Sequence, residues 1–348
     1  MTTTAAQTLK INYVKTIGIV NNAPVGRGFA NPIDLALHAD GRIFVLNRGA
    51  PVFTRIGVTN MDDDYLYEFS SHGDGEGQLR LAAGITLSND GSQVYVTDEY
   101  NHRVSIFGAD FDNDKDTANS TFIKAFGAKG SGPGEFDGPT GIVVDADDNL
   151  YITDQNNHRV QKVTPEGRHL LSFGSEGNGD GEFNMPWGIS LAPDGSVFVA
   201  DWRNDRIQKF SADGEFIAKY GESGDGDGQF SRPSGVALDA DGNIYVTDWG
   251  NERVQALTAD GSHLRTMRGE ATLSKWALDF LAANPDEVET RKISNLTPEL
   301  PPHLDTPHLI SSQIEPYFWG PSSVNFDADG RMFITESSRH RIQVYQLG

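Results

Sequence analysis

Apolar residues in this chain come in short runs separated by turn chemistry. In the stretch that opens at Pro186 the runs read "GISLA", "SVFVAD", "RIQKFS" and "EFIAKYG", each of strand length. The connecting "PDG" and "SADG" supply Asp and Gly, whose local hydrogen bonds and tolerance of positive φ suit tight hairpins. The pattern predicts four antiparallel strands in succession, with no segment long enough to form a crossover helix.

The unit repeats. Six copies open with "PIDLALHADGRIFVLN" at Pro32, "AAGITLSNDGSQVYVTD" at Ala82, "PTGIVVDADDNLYITD" at Pro139, "PWGISLAPDGSVFVAD" at Pro186, "PSGVALDADGNIYVTD" at Pro233 and "PSSVNFDADGRMFITE" at Pro321. Pro139, Pro186 and Pro233 are spaced by 47 residues. Six such units predict an all-β, six-bladed β-propeller, with residues 1–348 forming one domain. The last copy stops after its third strand, "RIQVYQLG", while the N-terminal "INYVKTIGI" has the form of the fourth strands "FIKAFG" and "FIAKYG". It is expected to complete the last blade and remove the free sheet edge. The copies resemble NHL repeats, most fully in "GPGEFDGPTGIVVDADDNLYITDQNNHRVQKV", and the resemblance covers nearly the whole chain. That family includes protein and RNA interaction platforms as well as lyases, so the fold leaves the activity open.

Departures from the repeat carry the functional information. Copy one has three extra residues in "NRGAPVFTR", copy two has an acidic insertion in "GADFDNDKDTANSTF", and copy five has about 41 extra residues after its fourth strand. Propeller connectivity puts the first and last of these on one face. In the last, residues 269–319, Leu273, Trp276, Ala277, Phe280 and Leu281 fall at helical spacing, which predicts one amphipathic helix acting as a lid or wall at the channel mouth. Point changes fall in the same sector. Gly84, Gly141, Gly188 and Gly235 correspond to Asp34 in copy one and Ser323 in copy six, and the second-strand termini Asp98, Asp154, Asp201 and Asp248 correspond to Asn47 and Glu336.

Arg103, Arg159, Arg206 and Arg253 read as structural, and Arg55 keeps their position in copy one. Arg48 then stands out as a second, unpaired guanidinium suited to a carboxylate, phosphate or developing oxyanion. Its "NRG" resembles the arginine-bearing turn of the NHL-fold lyase that cleaves peptidyl-hydroxyglycine. The same resemblance matches Tyr100 to that enzyme's tyrosine turn and Asp34 to an aspartate near its metal. It fails at the zinc histidines, whose positions hold Ile33, Ala83, Thr140, Trp187, Ser234 and Ser322. Trp187, Trp202, Trp249 and Trp319, with Arg203 and Asn47, are instead expected to form an amphiphilic pocket for a small molecule having an apolar or ring portion and a polar end.

Within that pocket Asp34 or Glu336 would act as base, Tyr100 as acid and Arg48 as oxyanion partner, giving a lyase or hydrolase. The alternative is a non-catalytic NHL scaffold for a protein or small ligand. Candidate metal ligands are Asp34, His308 and His340, and Asp110, Asp112 and Asp114 alternate as structural calcium ligands can, so calcium or zinc is the divalent cation to test for. A formal net charge of -21 argues against nucleic acid and anionic membrane as partners. The absence of cysteine removes thiolate chemistry. With no basic region followed by an apolar core in "MTTTAAQTLKINYVKTIG", the expected location is the cytoplasm.

Overall fold

The computed structural model describes residues 9–21, 26–49, 53–110 and 121–348. Six four-stranded antiparallel sheets form the blades of a ring. Blade one comprises Pro32–Leu37, Arg42–Gly49, Phe53–Asn60 and Tyr65–Phe69. Blade four comprises Pro186–Leu191, Val197–Asp201, Arg206–Phe210 and Phe216–Tyr220, and blades two, three and five repeat the plan. Blade six takes three strands from the C-terminal end and its fourth from Ile11–Ile17, which runs antiparallel to Arg341–Leu347 from Ile11↔Leu347 to Ile17↔Ile342. The ring is therefore closed as the unmatched last copy predicts. The first strands of successive blades pack side by side around a central channel of about 560 Å³, and blade six meets blade one.

Strand burial follows position in the blade. Second strands such as Val197–Asp201 are buried throughout because both faces of each blade are covered by a neighbouring blade. Fourth strands such as Phe216–Tyr220 lie at the perimeter and alternate between half-buried and exposed residues. Between blades, a loop phenylalanine (Phe136, Phe183 or Phe230) is fully buried and plugs the seam. Glycine is obligatory beside the plug: Gly174 has φ 93°, and a Cβ there would lie 2.4 Å from the Phe183 ring.

The repeated "DxxNxR" segment is a closed buried network. In blade four the Asp201 carboxylate accepts from the Asn184 N–H, Asn204 Nδ2, Arg206 Nε and Gln208 Nε2 at 2.7, 2.8, 2.8 and 3.1 Å. Arg206 also donates to the carbonyls of Asn178, Gly179 and Glu182, clamping the glycine-rich loop that enters the blade. Those loops hold geometry, in keeping with their once-per-blade recurrence.

The insertion departs from the sequence expectation in form and in position. It contains α1 (Lys275–Ala283), α2 (Pro285–Ile293) and α3 (Pro307–Gln313) where one helix was expected over the first two. Pro285 has no N–H and cannot continue α1, but it suits the first turn of α2. α1 also does not lie over the channel. Trp276 is buried in the groove between blades six and one, beside Phe29, and its backbone N–H donates to the Asp63 carboxylate. The Thr272 N–H donates to Tyr13 on the perimeter strand of blade six. Phe280, expected on the packed face of a lid, is 49% exposed. The chain returns through α3 to the rim of blades five and six, where Arg339 donates to the Ser311 carbonyl. Among the described residues, no helix is long and apolar enough to cross a membrane.

Candidate functional site

On the face that carries the insertion, the channel opens into a cavity of about 350 Å³ lined by Asn31, Ile33, Arg48, Trp187, Trp202, Ser234, Trp249, Ser322 and Ser337. These residues come from blades one, four, five and six and, apart from Asn31 just before Pro32, occupy two recurring positions. One is the residue after the opening proline, at a strand bulge. The other is the residue after the second-strand terminus, which runs Arg48, Glu99, Gln155, Trp202, Trp249 and Ser337 around the ring. The repeat thus presents one variable side chain per blade at each of two levels. Trp187 and Trp202 are adjacent, with ring centroids 6.2 Å apart.

Arg48 reaches this cavity because blade one's second hairpin is longer than the others. Pairing continues past Asn47↔Arg55 through Arg48↔Thr54 to Gly49↔Phe53. Gly49 is required by close approach: a Cβ would lie 2.6 Å from Phe53 Cβ and 2.9 Å from Ala30 Cβ. The Arg48 guanidinium sits 5.8 Å from the Trp187 ring, and one of its amino groups donates to Glu99 at 2.6 Å. The expectation of an unpaired guanidinium is therefore corrected. Glu99, in the first turn position of blade two, escaped sequence reasoning because its neighbour Tyr100 drew the resemblance. Reading the turn position as a column around the ring would have placed it beside Arg48.

Several other expected site residues lie elsewhere. Glu336 is fully buried and repeats the role of Asp201: it accepts from the Trp319 N–H, Arg341 Nε and Gln343 Nε2, so it is no free base. Asn47 is also buried, and its Oδ1 accepts from the Ala30 N–H at 2.8 Å. A neutral amide suffices there because Arg55, the blade's structural arginine, pairs with Glu68 at 3.0 Å. Tyr100 is 50% exposed, with Arg80 4.1 Å from its ring centroid, and does not line the cavity. Trp319 does not line the cavity: its ring meets His308 edge-on at 5.6 Å between centroids, and Arg339 packs over its ring. Arg203 lies at the rim beside Trp202.

Asp34 is in the channel, deeper than the mouth. Its carboxylate accepts from the Leu35 N–H at 2.9 Å, Asn325 Nδ2 at 3.3 Å and the Ile85 N–H at 3.1 Å, linking the inner strands of blades one, six and two. In blade three the corresponding link is made by Thr153, whose hydroxyl donates to the Trp187 carbonyl. Blade one has Leu46 at the threonine position, opposite Asp34, and the carboxylate makes the connection. Desolvation in the channel wall outweighs these hydrogen bonds and raises its pKa to about 6.

The expected metal ligands do not converge. His340 Nδ1 accepts from the Asn31 N–H at 2.9 Å, as His102 and His158 do from Gly138 and Met185, so it is a structural acceptor. His308 pairs with the buried Glu252 at 2.9 Å. Among the described residues no group of three or more His, Asp or Glu side chains could hold a metal ion. Asp110 is paired with Arg42 at 3.1 Å, and Asp112 and Asp114 lie outside the described residues.

Two family models match the chain. The SMP-30/Gluconolactonase/LRE-like region matches residues 31–176, and the NHL repeat matches residues 183–210 and 230–257. Among solved structures, a streptogramin B lyase is similar with TM-score 0.55 and 14% identity, covering 99% of both chains. A catalytically inactive virginiamycin B lyase from Staphylococcus aureus with quinupristin gives TM-score 0.55 and 15% identity over 97% of this chain and 88% of that one. A protein of unknown function from Bacteroides thetaiotaomicron gives TM-score 0.60 and 17% identity over 98% of this chain and 76% of that one. At these identities the structures bear on the fold alone. Repeats and ring closure agree with these matches: the chain is a six-bladed β-propeller with an SMP-30/gluconolactonase-like region in its first half and NHL repeats in its second.

Proposed function

We propose that the mouth cavity is the substrate site of an enzyme acting on a small molecule by a lyase or hydrolase reaction. The observation that carries this reading is a tryptophan wall with one charged side chain, Arg48, set into it. Such a site holds an apolar or ring portion against Trp187, Trp202 and Trp249 and directs a polar end to the guanidinium. Arg48 stabilises negative charge as it develops on a carbonyl oxygen. Glu99, hydrogen-bonded to Arg48, is the carboxylate available to take a proton. In an elimination, the C–H pair released as Glu99 accepts the proton moves towards the carbonyl whose oxygen Arg48 faces. It then forms the new double bond as the leaving group departs with its own bonding pair. Support from shape comes from a propeller of this fold crystallised with quinupristin.

The second reading is a non-catalytic binding platform, and one observation favours it: Arg48 is the only ionisable side chain among the residues lining the cavity. Turnover of lactones, aryl esters and β-elimination substrates separates the two. Arg48→Met is expected to lower kcat on the order of a hundredfold, whereas Arg168→Met, at an exposed turn of blade three, leaves it unchanged. Equal activity in the two variants removes Arg48 from the mechanism, and no turnover of any class in the parent protein favours the platform.

A further inference from the structure

A chain of net charge -21 carries an unexpected concentration of cations at this mouth. The Trp202 ring has two guanidiniums beside it, Arg203 at 5.5 Å and Arg232 at 5.3 Å from its centroid. Trp187, next to it, has Arg48 at 5.8 Å. The aromatic pair is therefore flanked by positive charge at both ends. Of the nearby carboxylates, Glu99 is oriented towards Arg48, to which it is hydrogen-bonded at 2.6 Å. Asp205 accepts from the backbone N–H of Arg232 and from the Ser223 hydroxyl, both at 2.7 Å, and Asp201 is closed in its own network with Arg206. Arg203 and Arg232 are exposed, and among the described residues neither has an ion-pair partner.

Range decides which charge a ligand feels. At physiological ionic strength the screening length is about 8 Å, so the acidic remainder of the surface is largely screened from a molecule at the mouth. The guanidiniums beside Trp202 lie within that distance. They also occupy the aromatic surroundings that would otherwise attract an ammonium group.

We infer that the mouth selects planar anionic small molecules, aromatic carboxylates being the simplest class. The ring stacks on the Trp187–Trp202 surface and the carboxylate is held by Arg203 and Arg232. This rests on the reading of the mouth as a ligand site, and it does not require turnover there.

The test is calorimetric titration of the full chain with 2-naphthoate, 2-naphthalenemethanol and 2-naphthylmethylammonium, which share a ring system and differ in charge. The carboxylate is expected to bind about tenfold more tightly than the alcohol, as one charge-assisted hydrogen bond supplies, and the ammonium most weakly. Replacing both exposed arginines, Arg203→Gln with Arg232→Gln, should abolish the carboxylate's advantage and leave the alcohol's affinity unchanged. Trp202→Leu should weaken all three. Ammonium binding equal to the carboxylate's, an advantage that survives the double variant, or no binding of any probe would each overturn the inference. A carboxylate preference without turnover leaves it standing and removes the enzyme reading; turnover of neutral substrates with no charge preference does the reverse.

Discussion

Blades four and one share strand order and register but close their second hairpins differently. In blade four the terminal Asp201 ties Asn204, Arg206, Gln208 and the incoming loop into one buried network, and the next residue, Trp202, faces the mouth. In blade one Arg55 turns to Glu68, Asn47 keeps the loop contact, and the hairpin grows until Arg48 reaches the same mouth. The repeat holds its variable position by a conserved means in one case and a rebuilt one in the other. Mouth-facing side chains can therefore differ blade by blade while the scaffold beneath them is maintained.

Removing each terminus is the strongest test of this contrast. Asp201→Ala leaves Arg206 buried without its carboxylate and is expected to cost about 3–5 kcal/mol. Asn47→Ala removes neutral hydrogen bonds and should cost about 1–3 kcal/mol. Urea unfolding of the two variants measures the difference, and equal losses would mean that the blade-one closure is ionic in effect after all.

A smaller effect concerns the inner ring, where blade one uses Asp34 in place of the usual glycine. Because the folded pKa is raised from 3.8 to about 6, the native state binds the extra proton, so this carboxyl's contribution is fully present below pH 3.8 and is lost as pH rises through about 6. Asp34→Asn should remove that part of the slope when Tm is followed between those limits. An unchanged slope would show that Asp34 is not desolvated in the channel wall.

Smallest is Tyr100→Phe. With the ring half exposed and outside the cavity, kcat/KM should stay within about twofold of the parent value. A large loss would return Tyr100 to the site and make blade two a full contributor to it.

Much of this was legible beforehand. The six copies, the N-terminal strand in blade six, the structural arginines and the joint appearance of Arg48, Trp187, Trp202 and Trp249 on one face all follow from alignment of the repeat with itself. A fixed register converts sequence position into direction. What failed to follow concerns partners instead of positions. Glu336 resembled a displaced acid, but its longer side chain completes the same network as aspartate with Trp319, Arg341 and Gln343. His308 and Asp34 shared a face by connectivity, yet one pairs with Glu252 at the rim and the other is held by blades one, two and six in the channel. Helical spacing in the insertion disclosed an apolar stripe but not the groove between blades six and one that receives it.

The sequence by itself determined the four strands of each blade, the closure of the ring and the shared face of Arg48, Trp187, Trp202 and Trp249, because these depend on local periodicity and on a repeat that allows one arrangement. Tertiary structure decided the pairing of Arg48 with Glu99, the burial that raises the Asp34 pKa and the docking of Trp276 at the perimeter. Those depend on atoms from different blades meeting within a few ångströms, and neither hydrogen-bond pairing nor desolvation is encoded in any single copy of the repeat.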